Sequence, residues 1–213
     1  MSMPTPYSST EELFHTLSHA IGAILSLAAL FLMLKVTSVN PDSLYIISSV
    51  IYGSSLVLMY SSSALYHGSK NIQRKTRLRQ LDHAAIFILI AGTYTPFTLI
   101  SLHDDVGLLL FIVIWAIALV GVIIELASGL KYKKLSLALY LGMGWLVIFA
   151  VKPMLESIPV AGLWLLLAGG LSYTFGVIFY AAKKMYMHHF IWHLFVLAGS
   201  AFHFAAVYFY VLN

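Results

Sequence analysis

Seven times along this chain a mostly apolar run passes with almost no charge in it, at roughly 13–35, 43–66, 81–101, 106–127, 135–152, 160–182 and 189–211. A helix of ~20 such residues is long enough to cross the hydrocarbon core of a bilayer. Inside that core every backbone N–H and C=O must find a partner within the segment, which a helix provides. The connections between runs are short, so residues 1–213 are expected to form one membrane domain. The expected fold class is an all-α membrane protein, a seven-transmembrane-helix bundle. Composition agrees: 9% of the residues are charged and 61% are hydrophobic. That is too little charge to coat a water-soluble globule and too much apolar content for a disordered chain.

Orientation follows from the basic residues of the short loops. Lys70, Arg74, Lys75, Arg77 and Arg79 follow the second run, Lys131, Lys133 and Lys134 the fourth, and Lys183 and Lys184 the sixth. Only Lys35 and Lys152 border the alternate loops. The N-terminus is therefore expected in the cytoplasm and the C-terminus outside, in a multi-pass protein of the cell's inner (plasma) membrane. The first twelve residues hold no Lys or Arg, so no cleavable signal peptide is expected. Ser9 and Glu12 have capping-box spacing, which would start the first helix just before Leu13. Basic residues confined to loops give no support to a nucleic-acid partner.

Ionisable groups at the ends of spans are costly and usually functional. Ser63-Ala-Leu-Tyr-His67 closes the second run, Leu81-Asp82-His83 opens the third, and His188-His189-Phe190-Ile191-Trp192-His193 opens the seventh, all at the expected cytoplasmic depth. His189 and His193 are four apart, so both imidazoles leave one helical face, as in helices that clamp zinc. A third imidazole from His67 completes a three-histidine set and leaves the fourth tetrahedral position to water. The chain has no cysteine, so thiolate ligands and disulfides are excluded, and imidazole suits Zn²⁺ better than Ca²⁺ or Mg²⁺. Asp82 is placed to accept a hydrogen bond from that water or to orient a ligand.

A blander reading makes the His189/His193 pair part of an interfacial belt with Phe190 and Trp192. His67 and Asp82 at the same depth favour the metal. His15 and His19, again four apart, compete as ligands and are read, with Glu12, as supporting groups. His103, beside Asp104 and Asp105, is read as solvated, and His203 as a packed polar residue. Glu125, near the second basic loop, is read as snorkelling or paired with a base.

At these residues the sequence resembles the hemolysin III family of bacterial membrane proteins, within the broader progestin and adiponectin receptor (PAQR) group. The matching pieces are Glu12-Leu-Phe-His15-Thr-Leu-Ser18-His19, Ser63-Ala-Leu-Tyr-His67, Leu81-Asp82-His83-Ala-Ala-Ile86, Gly92-Thr-Tyr-Thr-Pro96 and His189-Phe-Ile-Trp-His193. The resemblance implies a seven-helix bundle with one zinc near the cytosolic face, held by His67, His189 and His193. Asp82 matches the acidic residue near the zinc-bound water and Ser63 the motif serine, while His15 stands where the family usually has Asn. The wider superfamily is similar to alkaline ceramidases, and the name hemolysin implies membrane lysis.

Zinc-dependent hydrolysis of a lipid amide or ester is the first expectation, with a membrane lipid as substrate, Asp82 as general base and Ser63 bonding either the oxyanion or a ligand. A receptor or regulator with a structural zinc is the alternative, and a pore-forming cytolysin or transporter the third.

Overall fold

The computed structural model describes residues 7–40, 42–102 and 105–213. They form α1 (Ser9–Thr37), α2 (Ser43–Gly68), α3 (Ile72–Pro96), α4 (Asp105–Ser128), α5 (Lys133–Trp145), α6 (Val151–Ser157), α7 (Val160–Ala181) and α8 (His188–Tyr210). A π-type turn, Phe97–Ser101, prolongs α3, and a 3-10 turn, Leu146–Ala150, joins α5 to α6. Counting each of those pairs as one, seven spans among the described residues are long and apolar enough to cross a membrane. His103 and Asp104, read above as solvated with Asp105, lie outside the described residues.

The bundle is inverted in polarity relative to a soluble protein. Ile24, Phe31, Ile123 and Phe149 are exposed, whereas Ser48, Ser49, Ser62, Ser63 and Thr95 are buried. Lipid tails are as apolar as leucine, so the outer face gains nothing from being polar, and small or hydroxylated residues let the helices approach. On α1 that stripe runs His15, His19, Gly22, Ser26, Ala29 and Met33, all buried at the three- and four-residue spacing of one helical face. A Cβ added at Gly22 would enter the Tyr60 ring of α2, and one at Gly92 would meet Ser55. α1 packs on α2, α2 on α3, α3 on α4, α7 on α8 and α8 back on α1. α3 is the most enclosed, with 67% of its apolar window buried. α5 touches α3, α4 and α7 more thinly, and a cavity lies between α3, α5, α7 and α8.

Four local expectations change. The capping box is Ser8–Glu11, one residue earlier than Ser9–Glu12: the Glu11 backbone N–H donates to Ser8 Oγ at 3.2 Å and the Ser8 N–H to Glu11 Oε2 at 2.9 Å. The run Ser8-Ser9-Thr10-Glu11-Glu12 offers both pairs at the same spacing, and the earlier one leaves Glu12 free to turn inward.

α3 begins at Ile72 instead of near 81, capped by Asn71, whose side chain accepts from the Arg74 N–H at 2.9 Å. Arg74, Lys75, Arg77 and Arg79 are therefore helical, on turns too polar for a hydropathy criterion to register.

The fifth span reaches Ser157 but is broken before Pro153, whose ring and missing N–H oppose an unbroken helix. Tyr94 of α3 satisfies the freed backbone. Its hydroxyl donates to the Met143 carbonyl at 2.9 Å and accepts from the Val147 N–H at 3.0 Å.

Glu125 does not snorkel, and no ion pair among the described residues takes it up, although Lys133 lies close enough to feel its charge. It is 1% exposed, and neither carboxylate oxygen has a hydrogen-bond partner among the described residues. Ile114, Ala118, Gly121 and Glu125 form one buried stripe of α4, which turns the carboxylate inward.

Candidate metal centre

The first turns of α1 and α8 and the last turn of α2 meet at the end of the bundle that carries the basic loops. α8 starts sharply there. Met187 adopts a left-handed φ of 58°, and the His188 Nδ1 lies 3.1 Å from the Phe179 carbonyl of α7. Within the first two turns of α8, His189 and His193 face His67. A ligand atom from each of the three lies within 4.8 Å of the other two. The ring centres of His67 and His189 are 5.2 Å apart, those of His67 and His193 5.2 Å, and those of His189 and His193 4.7 Å.

The surroundings set the tautomers of two of these rings. His67 donates from Nδ1 to Glu12 Oε2 at 2.7 Å, while the other carboxylate oxygen accepts from Lys75 Nζ at 2.7 Å. Lys75 also reaches the His67 carbonyl at 3.3 Å. On His193, Nδ1 lies 3.0 Å from Ser18 Oγ, and Ser18 spends its own proton on the His15 carbonyl at 3.0 Å. With that proton on the carbonyl, the serine oxygen is free to accept from a proton on His193 Nδ1. In both rings Nε2 is left with its lone pair, the state in which imidazole binds a metal.

These groups fit a cation. Among the described residues the Nε2 of His67 and the Nδ1 of His189 are buried without a hydrogen-bond partner, which is rare for polar atoms removed from water. The three-imidazole set is the donor chemistry of borderline divalent metals.

Asp82 and Ser63 do not join the imidazoles directly but line the cavity of about 150 Å³ that also exposes His189 and His193. Asp82 Oδ2 lies 3.4 Å from His83 Nδ1. His19 lies flat on His193, with ring centres 3.6 Å apart and planes 11° apart. Glu12 is a hydrogen-bond partner of a candidate ligand, and His15 sits among all three of them. His188 is tied to Phe179. His203 is packed as expected, its Nε2 lying 3.2 Å from the Leu166 carbonyl.

Three contributors had no chemical signal of their own in the sequence, Ser18 entering only within the matching piece Glu12–His19. Ser18 lies 175 residues from His193, Lys75 belongs to what reads as a loop, and Tyr7 precedes the first helix. The Tyr7 ring covers the cluster, stacked on His189 at 5.3 Å and edge-on to His15 at 4.8 Å. Its only hint is an aromatic just ahead of a helix start.

Fold and site together define a class, the seven-span all-helical membrane proteins with a histidine cluster shared by the first two helices and the last. Comparison with known proteins then places the chain. It belongs to the haemolysin III family, whose profile, described as haemolysin-III related, matches residues 7–204. It is 42% identical over 202 residues to Hemolysin-3 of Bacillus cereus, covering 95% of this chain and 92% of that protein. To the Hemolysin-3 homolog of Bacillus subtilis (strain 168) it is 42% identical over 207 residues, 97% of each. A more distant relative, of the PAQR type, is the human monocyte to macrophage differentiation factor, 30% identical over 173 residues, 78% of this chain and 71% of that one.

Proposed function

We propose that this protein is a zinc-dependent hydrolase of the cell's inner (plasma) membrane that cleaves an amide or ester bond of a membrane lipid. The observation that carries the reading is the cavity. Its polar end holds Asp82, Ser63, His189 and His193, and from there it runs inward along α3, α5, α7 and α8 over mostly apolar walls. A second cavity of about 310 Å³ adjoins it, with Thr93, Tyr94, Gly144, Trp145, Gly170 and His203 as common wall. Such a space accepts an acyl tail and brings the polar linkage to the histidines. Its apolar walls favour a lipid occupant over an ion path, which speaks against the pore reading.

Zinc held by His67, His189 and His193 supplies a Lewis acid and water that ionises near neutral pH. Asp82 takes the proton of the attacking water and returns it to the leaving nitrogen or oxygen. His83, 3.4 Å from Asp82, steadies the carboxylate. Ser63 donates to the carbonyl oxygen as negative charge develops on it. The basic loops at this end support a site at the cytoplasmic face. The lysis in the names of the Bacillus relatives fits a protein that changes the lipid composition of membranes.

The test is fatty-acid release, followed by mass spectrometry, from ceramide and acyl-ester lipids added to the purified protein in nanodiscs. Wild type is expected to release fatty acid. Asp82→Asn should keep its metal and lose turnover by ~10²-fold or more. Gly170→Phe offers a second arm, since a Cβ at Gly170 meets nothing within 4 Å and the ring would enter the shared wall. It should fold, keep the metal and lose turnover. No release from wild type carrying one zinc per chain overturns the reading in favour of a regulator with a structural metal.

A further inference from the structure

We propose that the second cavity is a gauge of chain length: the acyl tail of the lipid runs past the wall that the two cavities share, and the room beyond it sets the longest tail the protein accepts. This rests on the hydrolase reading above and adds which lipids that site takes.

Three helices give the depth of the wall. On α8 it is marked by His203, ten residues beyond His193, and on α7 by Gly170, ten residues before Tyr180. On α3 it is marked by Thr93, eleven residues beyond Asp82. At a rise of ~1.5 Å per residue, all three put the wall ~15–17 Å from the polar end. That is about half the thickness of the hydrocarbon core. A C–C bond of ~1.5 Å advances an extended chain by about 1.25 Å per carbon, so the first cavity takes about twelve carbons. A longer tail has to pass the wall.

The wall leaves room for it. Gly144 and Gly170 stand there, and a Cβ at either would meet nothing within 4 Å. The aromatic side chains beside them are held in place by hydrogen bonds. Tyr94 donates to the Met143 carbonyl at 2.9 Å, and Trp145 Nε1 to Thr174 Oγ1 of α7 at 3.2 Å. Beyond the wall lies the larger of the two spaces, about 310 Å³ against about 150 Å³. It reaches Leu163, seven residues past Gly170 on α7, which adds ~10 Å or about eight carbons. Phe97, Leu102 and Met154 line it and are themselves buried, so its floor belongs to the packed bundle.

Size decides among tails here. A tail in the bilayer already lies among hydrocarbon, so moving it into the cavity gains little from the removal of water. A tail that ends in the second cavity supplies contacts its walls otherwise lack. One that outruns the floor meets close-packed side chains, which resist each added methylene. Water is a poor occupant of so apolar a space. The preference is therefore broad up to about twenty carbons and falls steeply beyond them.

The experiment offers the purified full-length protein in nanodiscs a series of ceramides and acyl esters that differ only in tail length, and follows fatty-acid release by mass spectrometry. Wild type is expected to cleave tails of about ten and about eighteen carbons alike. Val147 and Leu163 line the second cavity and not the first. Val147→Phe and Leu163→Phe should each cleave the shorter tail as wild type does and the longer at least ~10-fold more slowly. Equal loss of both tails, or loss of neither, overturns the inference. Should neither variant fold, the wild-type profile decides, since cleavage that stays level beyond about twenty carbons overturns it as well. Wild type that cleaves no tail overturns the hydrolase reading instead. Native mass spectrometry with the same lipids then judges the gauge, which fails if wild type and Val147→Phe retain the longer tail equally.

Discussion

Glu12 on the first helix accepts a 2.7 Å hydrogen bond from Nδ1 of His67 at the end of the second, across 55 residues of sequence. The bond holds the imidazole in the tautomer that turns Nε2 toward His189 and His193. Lys75 balances the carboxylate from its other side, so a half-buried negative charge is compensated before any cation arrives. This is the arrangement by which carboxylates orient and strengthen histidine ligands.

Removing that charge should weaken the metal without removing a ligand. Glu12→Gln keeps an acceptor for the Nδ1 proton but loses the ionised partner of both His67 and Lys75. Zinc affinity, measured by chelator competition, is expected to fall ~10- to 100-fold with stoichiometry at saturation unchanged. Unaltered affinity would mean that the Glu12–His67 bond is packing only.

Acid should release the metal. Imidazole binds a cation only without its proton, so each ligand adds a proton that competes. Affinity is expected to be level at mildly alkaline pH and to drop by more than about tenfold per unit as pH falls toward 5. Equilibrium dialysis across that range measures it, and a flat profile would point to carboxylate ligands in place of histidines.

The α1–α2 seam should be intolerant of volume. Tyr60 fills the space over Gly22 and sends its hydroxyl on to Ser200 of α8 at 2.8 Å. Gly22→Val pushes that ring aside and disturbs three helices at once. We expect a loss of ~1–3 kcal/mol, visible as a lower thermal midpoint in detergent. An unchanged midpoint would show that the seam is looser than the structure describes.

Much of this was legible in the sequence, and what was not has identifiable causes. Seven spans follow from length and apolarity alone, and the four-residue spacing of His189 and His193 fixes their shared face whatever surrounds them. The start of α3 was hidden because Arg74, Lys75, Arg77 and Arg79 obey helix geometry without being apolar. The cap shifted because Ser8/Glu11 and Ser9/Glu12 are equivalent by spacing, and only the inward pull of His67 on Glu12 separates them. Glu125 was misread because proximity to a basic loop says nothing of direction, whereas its register with Ile114, Ala118 and Gly121 does. The Ser18–His193 and Tyr94–Val147 contacts join residues distant in sequence, and no local pattern announces them.

The central claim is that this bundle exists to hold a metal between its first two helices and its last. Elemental analysis of the purified protein, wild type beside His193→Ala, tests it most directly. The account predicts close to one zinc per chain in wild type and almost none in a variant that still folds. A wild type without bound metal, or a His193→Ala protein that keeps its full complement, would contradict it.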